Sequence, residues 1–195
     1  MKKYYKFLQD DNTGEFSGFD YSPYLPKGIS KGKWLPKVDS VTMCEKGYHV
    51  CERKDLLEWR NEILYIVEVR GESDEGDNKS VHQQMRFVKR VKGWNEKNLR
   101  LSAADIVEKL SLPIWKKYYP KDNTLEQVIE VVRRYAVGKA TQDELSVARS
   151  AAESVARSSA ESVAWSAAES AAESAAESVA WSAALDIICK RCGIH

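Results

Sequence analysis

Hydrophobic positions in the first half of the chain follow the spacing of short β-strands. Tyr4 to Leu8 is an aromatic segment, and residues 63–69 form a nearly continuous, largely β-branched run. Residues 81–88 alternate apolar and polar side chains, which is typical of a half-buried strand. A long Gly- and Pro-rich loop, a short helix and a solvated loop are predicted between them, at 14–32, 54–60 and 72–79.

The second half of the chain carries signals for helix ends. Ser102 is predicted as an N-cap, Thr124 and Thr141 begin segments that fit the capping-box pattern, and Gly138 occupies a C-terminal glycine position. Pro113 should kink or split the first helix. The predicted helices cover 103–118, 125–137 and the chain from 142 onward.

The two halves predict an α+β fold. Residues 1–100 should form a small mixed sheet domain that binds a ligand, and residues 101–195 an all-α, alanine-rich domain. The boundary follows from composition, because Ala, Ser, Glu and Val dominate the second half, whereas eight of the ten glycines lie in the first.

A four-residue repeat of Ser, Ala or Val, Ala and a larger residue extends from Ser146 to Leu185. Alanine favours helix, but a period of four drifts about 40° per repeat around a helix of 3.6 residues per turn. The repeat therefore predicts a slim rod without a fixed apolar stripe, as one helix or several. The rod packs on its own domain or self-associates, or it serves as a partner-binding surface or a spacer. If the rod packs on its own domain or self-associates, we expect the following residues to be buried: Trp165, Trp181, Leu185, Ile187 and Ile188.

Composition and charge narrow the function classes. The chain has 30 basic and 29 acidic residues, a net charge of +1, and six Trp, nine Tyr and four Phe. Such a chain is neither disordered over most of its length nor a general nucleic-acid coat protein. It contains no apolar run of membrane-spanning length and begins without a secretory signal, so we expect a cytoplasmic protein with no membrane association.

Four cysteines fall into two clusters, Cys44 and Cys51 with His49 between them, and Cys189 and Cys192 before His195. They are either ordinary thiols or ligands of a structural zinc ion, and the spacing leaves both readings open. Disulfides are not expected in the cytoplasm. In a strand, His49 and Cys51 would share one face, which would allow a Cys–His contact.

The order of motifs resembles known domains. Tyr4 to Leu8, Met43 to Glu52 and Leu64 to Gly71 resemble an uncharacterised domain widespread in phages and prophages. The segment from Tyr119 through Glu130 and the alanine-rich repeat is similar to the helical domain of immunity-type proteins. Gly47-Tyr48-His49, followed by a short helix and Val67-Glu68-Val69, is similar to the core of ADP-ribosyltransferase-like domains, which bind ADP-ribose moieties.

These resemblances imply a phage counter-defence protein of the host cytoplasm. It would bind and sequester a nucleotide immune signal, ADP-ribose-derived or a cyclic dinucleotide, without cleaving it and without a cofactor. Arg or Lys would hold phosphates while an aromatic ring stacks on the base. The candidate ligand-binding residues are Trp34, Tyr48, His49, Trp59, Gln84, Arg86 and Arg133.

Two alternatives stay open. One is a protein-directed inhibitor of a bacterial defence complex, of the anti-CRISPR or immunity type, that uses its alanine-rich helices as the binding surface. The other is an ADP-ribosyltransferase-like or nucleotide-hydrolysing enzyme, with His49 and Glu52 or Glu68 as acid and base. In either non-enzymatic reading, a homo-oligomer through the alanine-rich helices is expected.

Overall fold

The computed structural model describes residues 2–163 and 170–195 and confirms the α+β class. The chain divides into two compact units, residues 1–95, here called the head, and residues 96–195, here called the helical unit. The head contains strands β1 Tyr4–Leu8, β2 Tyr48–Val50, β3 Ile63–Glu75 and β4 Ser80–Arg90, and the short 3-10 helices Ser22–Tyr24 and Arg53–Asp55.

The four strands form one antiparallel sheet in the order β1-β3-β4-β2. The sheet curls until its two edge strands meet, because Tyr5 pairs with Ile66 on β3 and also exchanges backbone hydrogen bonds of 2.9 and 3.0 Å with Cys51 beside β2. Register shifts in the β3–β4 ladder, one of them around Gly71, accompany this curvature. Gly71 has a φ of +87°, and a Cβ there would lie 2.6 Å from Gln83 Oε1, so glycine is required.

The inner surface of the curled sheet carries the core of the head. Tyr65 and Val67 from β3 pack with Met85 and Phe87 from β4, all buried. The irregular segment 32–38 lies along β4, where the amides of Gly32, Leu35 and Val38 donate to Phe87, Met85 and Gln83. This extended segment therefore pairs with the part of the β4 edge that the shorter strand β2 does not reach.

Two predictions for the head were wrong in extent. The predicted helix 54–60 is a single 3-10 turn, Arg53–Asp55, followed by turns. Half of the predicted loop 72–79 belongs to β3, which continues to Glu75 through exposed polar residues. Hairpin pairing with β4 stabilises these residues, and pairing of this kind leaves no hydrophobic signal.

The helical unit contains α1 Glu96–Ile106, a π-helical segment Val107–Ser111, α2 Leu112–Tyr118, α3 Thr124–Ala136, α4 Gln142–Val163 and α5 Ser170–Cys192. Helix α1 packs against α3 and α5, and α3 also packs against α4. None of the helices in the described ranges combines the length and apolar character of a membrane span.

Helix ends confirm part of the sequence interpretation. Thr141 and Glu144 form the predicted capping box through hydrogen bonds of 2.7 and 3.1 Å. Gly138 ends α3 with a φ of +72°, and Lys139 N donates to Arg134 O, as in a Schellman motif. The irregularity expected at Pro113 is present, because the π-helical segment immediately precedes α2.

Two predicted caps were wrong. Ser102 lies inside α1 and is fully buried, since the helix begins at Glu96 rather than at 103. Thr124 is the first residue of α3 rather than its N-cap, no side chain caps this helix at the N-cap position, and the Thr124 amide donates to Asp122 Oδ1 at 2.7 Å. At the start of α3, Asp122, which lies just outside the helix, satisfies a first-turn amide instead.

The tetrad repeat is helical in both described portions, α4 and α5. Leu185 and Ile188 are buried as expected and Ile187 is half-buried, but Trp181 is 49% exposed in the single chain. Packing within its own domain therefore does not bury Trp181, and its burial by self-association stays a prediction. A drifting repeat rotates residues at four-residue spacing away from a fixed contact face, which accounts for this difference. Trp165 lies outside the described residues.

Candidate functional site

A cavity of about 410 Å³ opens in the head where β1 and β2 separate beyond the Tyr5–Cys51 pair. Its volume lies in the range of small-molecule sites. The loop 14–17 forms one wall, and side chains from several distant segments complete it. The lining residues are Tyr5, Lys6, Phe7, Gly14, Glu15, Phe16, Ser17, Cys44, His49, Val50, Cys51, Trp59 and Lys79.

Lys6 is the charged residue of β1 at the cavity. It alternates with Tyr5 and Phe7 and so shares a strand face with Tyr4 and Leu8, which pack on the core. Its Nζ donates a hydrogen bond of 3.0 Å to His49 O and lies 5.7 Å from the centre of the Tyr21 ring. Burial lowers the pKa of Lys6 to about 8, because the charged form loses its hydration.

His49 is held neutral beside Lys6. Cys44 N donates to His49 Nε2 at 2.9 Å, so Nε2 is an acceptor and the proton belongs on Nδ1. Desolvation, and then the charges of Lys6 and Lys79, lower the pKa of His49 to about 4. Cys44 has a φ of +66°, so the backbone turns sharply to bring its amide to the ring.

Cys51 is buried at the same wall, and its thiol stays protonated. Burial, and then the charge of Asp55, raise the pKa of Cys51 to about 12. A thiol of this kind is a poor nucleophile, and His49 Nε2 already accepts a backbone amide. The Cys–His contact considered from sequence is therefore not organised for catalysis.

Aromatic side chains and a second lysine form the outer part of the cavity. Trp59 is anchored by a hydrogen bond of 2.9 Å from Nε1 to Asn78 O. Lys79 Nζ lies 4.6 Å from the centre of the Trp59 ring, and Phe16 meets the same ring edge-on at 6.3 Å. Phe16 is 84% exposed, so an aromatic surface remains open to solvent at the rim.

Of the seven residues expected to bind ligand, the structure brings His49 and Trp59 together at the cavity. Tyr48 points to the opposite side of β2, where it packs on the core, and its hydroxyl donates to Pro36 O at 2.7 Å. Burial raises the pKa of Tyr48. It is therefore a structural residue of the curled sheet.

Trp34, Gln84 and Arg86 form a separate cluster on the sheet. The guanidinium carbons of Arg70 and Arg86 lie 4.0 and 4.7 Å from the centre of the Trp34 ring. Arg86 also donates to Glu68 at 2.7 Å, and Gln84 joins Arg70 Nε to Leu35 O. These groups already satisfy one another, and none of the three predicted residues lines the cavity.

Arg133 belongs to the helical unit and is engaged there. It donates to Asp105 at 2.8 Å and to Glu108 at 2.8 and 2.6 Å, and Arg191 also pairs with Asp105. Burial by itself would raise the pKa of Asp105, but the two arginines outweigh it and hold that pKa low. Arg133 thus links α1 to α3, and its guanidinium is committed to these carboxylates.

Sequence reasoning missed Lys6, Lys79 and Phe16 at the cavity. For Lys6 a signal existed: it is a single charge on the apolar face of an aromatic strand, a position where an unpaired charge is costly. Lys79 lies in the β3–β4 turn and Phe16 in a loop, and neither has a local pattern that places it near β1.

The described residues contain neither the acid–base pair nor the zinc site considered from the sequence. Glu68 pairs with Arg86 and Lys31, and Glu52 with Lys2, and neither carboxylate lines the cavity. Among the described residues, no three His, Cys, Asp or Glu side chains are grouped as a metal ion requires. All four cysteines are free thiols.

Comparison with known proteins bears on the helical unit. Residues 91–182 match the family model described as Imm-5 like putative immunity protein. No curated protein and no solved structure matches the chain. The C-terminal part is thus immunity-protein-like, joined to a curled-sheet head that carries the cavity.

Proposed function

We propose that this chain is a non-enzymatic, immunity-type protein whose head sequesters a small anionic ligand with an aromatic ring. A nucleotide-type immune signal, ADP-ribose-derived or a cyclic dinucleotide, has this chemistry. The phage-type resemblance of the head supports a role in counter-defence in the host cytoplasm as part of this proposal.

The observation that carries this proposal is Lys6 at the wall of the cavity. In the part of the chain that the structure describes, no carboxylate lies within ion-pair distance of Lys6. An anionic group would provide that missing charge partner, and Lys79 adds a second cation at the rim. The Trp59 and Phe16 rings offer faces for a base.

Binding without turnover fits the state of the other groups. His49 is neutral with its Nε2 already accepting, and Cys51 is protonated. Glu15 is the one carboxylate among the described lining residues, and it accepts a hydrogen bond of 3.1 Å from Asn61. No acid–base pair is set up around a scissile bond.

Calorimetric titration with ADP-ribose, cyclic dinucleotides and AMP tests the proposal. Lys6→Met should weaken binding of the best ligand at least tenfold, whereas Lys33→Met, an exposed lysine of the head, should change it less than twofold. Heat release should return the ligand intact. The proposal fails if the wild-type chain retains none of these ligands, or if Lys6→Met binds as tightly.

The family match favours a second candidate, a protein-directed inhibitor that acts through the helical unit. Trp181 and Val147 are exposed on α5 and α4 and could anchor a partner. Pull-down from bacteria carrying defence systems should recover one defence protein with the wild-type chain. Trp181→Ala should lose it and Lys6→Met should keep it. This candidate is contradicted if both variants recover the defence protein, or if the wild-type chain recovers none.

A further inference from the structure

Lys6 combines three features that binding of an anion alone does not need. Lys6 lines a cavity large enough for a small molecule, its Nζ is held by a carbonyl acceptor rather than by a carboxylate, and the Tyr21 ring lies 5.7 Å from it. A carbonyl needs only one hydrogen from the amine. The neutral form can therefore donate to His49 O and keep its lone pair available.

The desolvated site also favours the neutral amine. With a pKa of about 8, lowered by burial, Lys6 is about half deprotonated at pH 8, while an ordinary lysine is almost fully charged. Desolvation of this kind is what makes a lysine amine nucleophilic toward carbonyl compounds. The groups that contact it or share the cavity lining include Tyr21, the neutral His49, the protonated Cys51, the cation of Lys79 and Glu15, which accepts a hydrogen bond from Asn61.

We propose that Lys6 captures its ligand covalently, as a reversible imine with an aldehyde group. The amine nitrogen bonds to the aldehyde carbon, both nitrogen-bound hydrogens and the aldehyde oxygen leave as water, and a C=N double bond remains. No oxidant or reductant is required. The inference rests on the proposed function, because it uses the same cavity.

The ligand class is an anionic aldehyde, including a nucleotide-type compound whose terminal sugar has a free anomeric carbon and opens to an aldehyde. Lys79, at the cavity rim, supplies a charge for the phosphate, and Trp59 a face for a ring. A cyclic dinucleotide has no such carbon. Covalent capture would therefore select ADP-ribose-derived ligands over cyclic dinucleotides.

Pyridoxal 5′-phosphate is a suitable probe, because it combines an aldehyde, a phosphate and an aromatic ring. The full chain is incubated with the probe at pH 8, reduced with borohydride, digested and mapped by mass spectrometry. Lys6 should be labelled at least tenfold more than any other lysine. Excess ADP-ribose should suppress that label. Uniform labelling, or preference for another lysine, overturns the imine.

Two variants and one ligand analogue distinguish failure of the imine from failure of the proposed function. Lys6→Arg keeps the positive charge but lacks a nucleophilic amine, so it should bind pyridoxine 5′-phosphate, which has no aldehyde, and form no adduct at this site. Lys33→Met should label as the wild-type chain does. Nucleotide binding without an adduct overturns the imine but leaves the proposed function intact. An adduct without nucleotide binding supports the imine and overturns the assignment of a nucleotide-type ligand in the proposed function.

Discussion

Lys6 places an amine on the inward face of strand β1. Lys6 stands between Tyr4 and Leu8, where a hydrophobic residue would give a more stable sheet, and its pKa is lowered to about 8. The unfolded chain binds more protons than the folded chain between pH 8 and 10.5. The Lys6 contribution to the unfolding free energy therefore increases as pH rises through this window.

His49 should make the head sensitive to acid. Its pKa is about 4 in the folded chain and 6.5 unperturbed, so the unfolded chain binds more protons as pH falls from 6.5 to 4. We expect this histidine to remove on the order of 2 kcal/mol of unfolding free energy over that range, allowing for its partial exposure. Urea unfolding at several pH values measures the loss.

His49→Gln is the matching variant, because its side-chain oxygen can still accept from Cys44 N. It should flatten the acid dependence of the head but not abolish it, since burial also lowers the pKa of His82. An unchanged pH profile in His49→Gln would show that another group controls acid unfolding.

At the level of single residues, the sequence singled out His49 and Trp59, which do line the cavity, but it could not predict how the cavity is assembled. The lining residues come from β1, loop 14–17, the approach to β2, Trp59 and Lys79. These segments meet only because the sheet curls, which is a non-local event. Two of the predicted ligand-binding residues, Trp34 and Arg86, contact each other instead of lining the cavity.

Helix α1 passes into α2 through an irregular segment that has a clear cause. Pro113 has no amide hydrogen, and its ring crowds the preceding turn. The chain widens to a π-helix over Val107–Ser111, where Leu112 N donates to Val107 O. Sequence predicted a break near Pro113, but a proline alone does not specify whether the helix kinks, splits or widens.

The capping box of α4 should contribute measurably to stability. Thr141→Ala removes the hydrogen bond from Glu144 N to Thr141 Oγ1 and should lower the unfolding free energy of the helical unit by about 1 kcal/mol. Ser111→Ala is a matched control, because Ser111 precedes α2 but makes no side-chain cap. Denaturation followed at 222 nm compares them. Equal losses in both variants would contradict the assigned cap.

Asp105 joins three helices and should be the most sensitive acidic residue of the helical unit. Its side chain is 16% exposed and pairs with Arg133 and Arg191, so Asp105→Asn removes the charge that both guanidinium groups share and leaves Arg133 with Glu108. We expect a loss of about 3 kcal/mol in unfolding free energy by urea denaturation.

Glu130→Gln makes the same charge change at an exposed site of α3 and should cost less than about 0.5 kcal/mol. A loss as small in Asp105→Asn would mean that burial of the ion pair offsets its attraction.

At the scale of the whole chain, composition and periodicity predicted an α+β protein, and the structure confirms it. The match of residues 91–182 to an immunity-type family supports the resemblance found for the alanine-rich part. Tertiary burial along the tetrad repeat was less predictable. Nearly identical tetrads give no local signal that separates Trp181, which is exposed, from Leu185, which is buried.

We propose that the chain self-associates through its alanine-rich helices, and solution mass tests this. Small side chains let helices approach closely, and the exposed Trp181 ring offers apolar area to a second copy. Light scattering should give at least twice the monomer mass of 22.1 kDa for the wild-type chain, and a lower mass for Trp181→Ala. A monomer at all concentrations, or no change in the variant, would contradict self-association.

The meeting of β1 and β2 at one residue pair has a practical consequence. The amide hydrogens of Tyr5 and Cys51 are donated across this seam, each to the carbonyl of the other residue. Their NMR cross-peaks therefore report directly on whether the sheet is closed. A ligand that enters between the strands should shift both signals together, and the two resonances would follow occupancy without any label on the ligand.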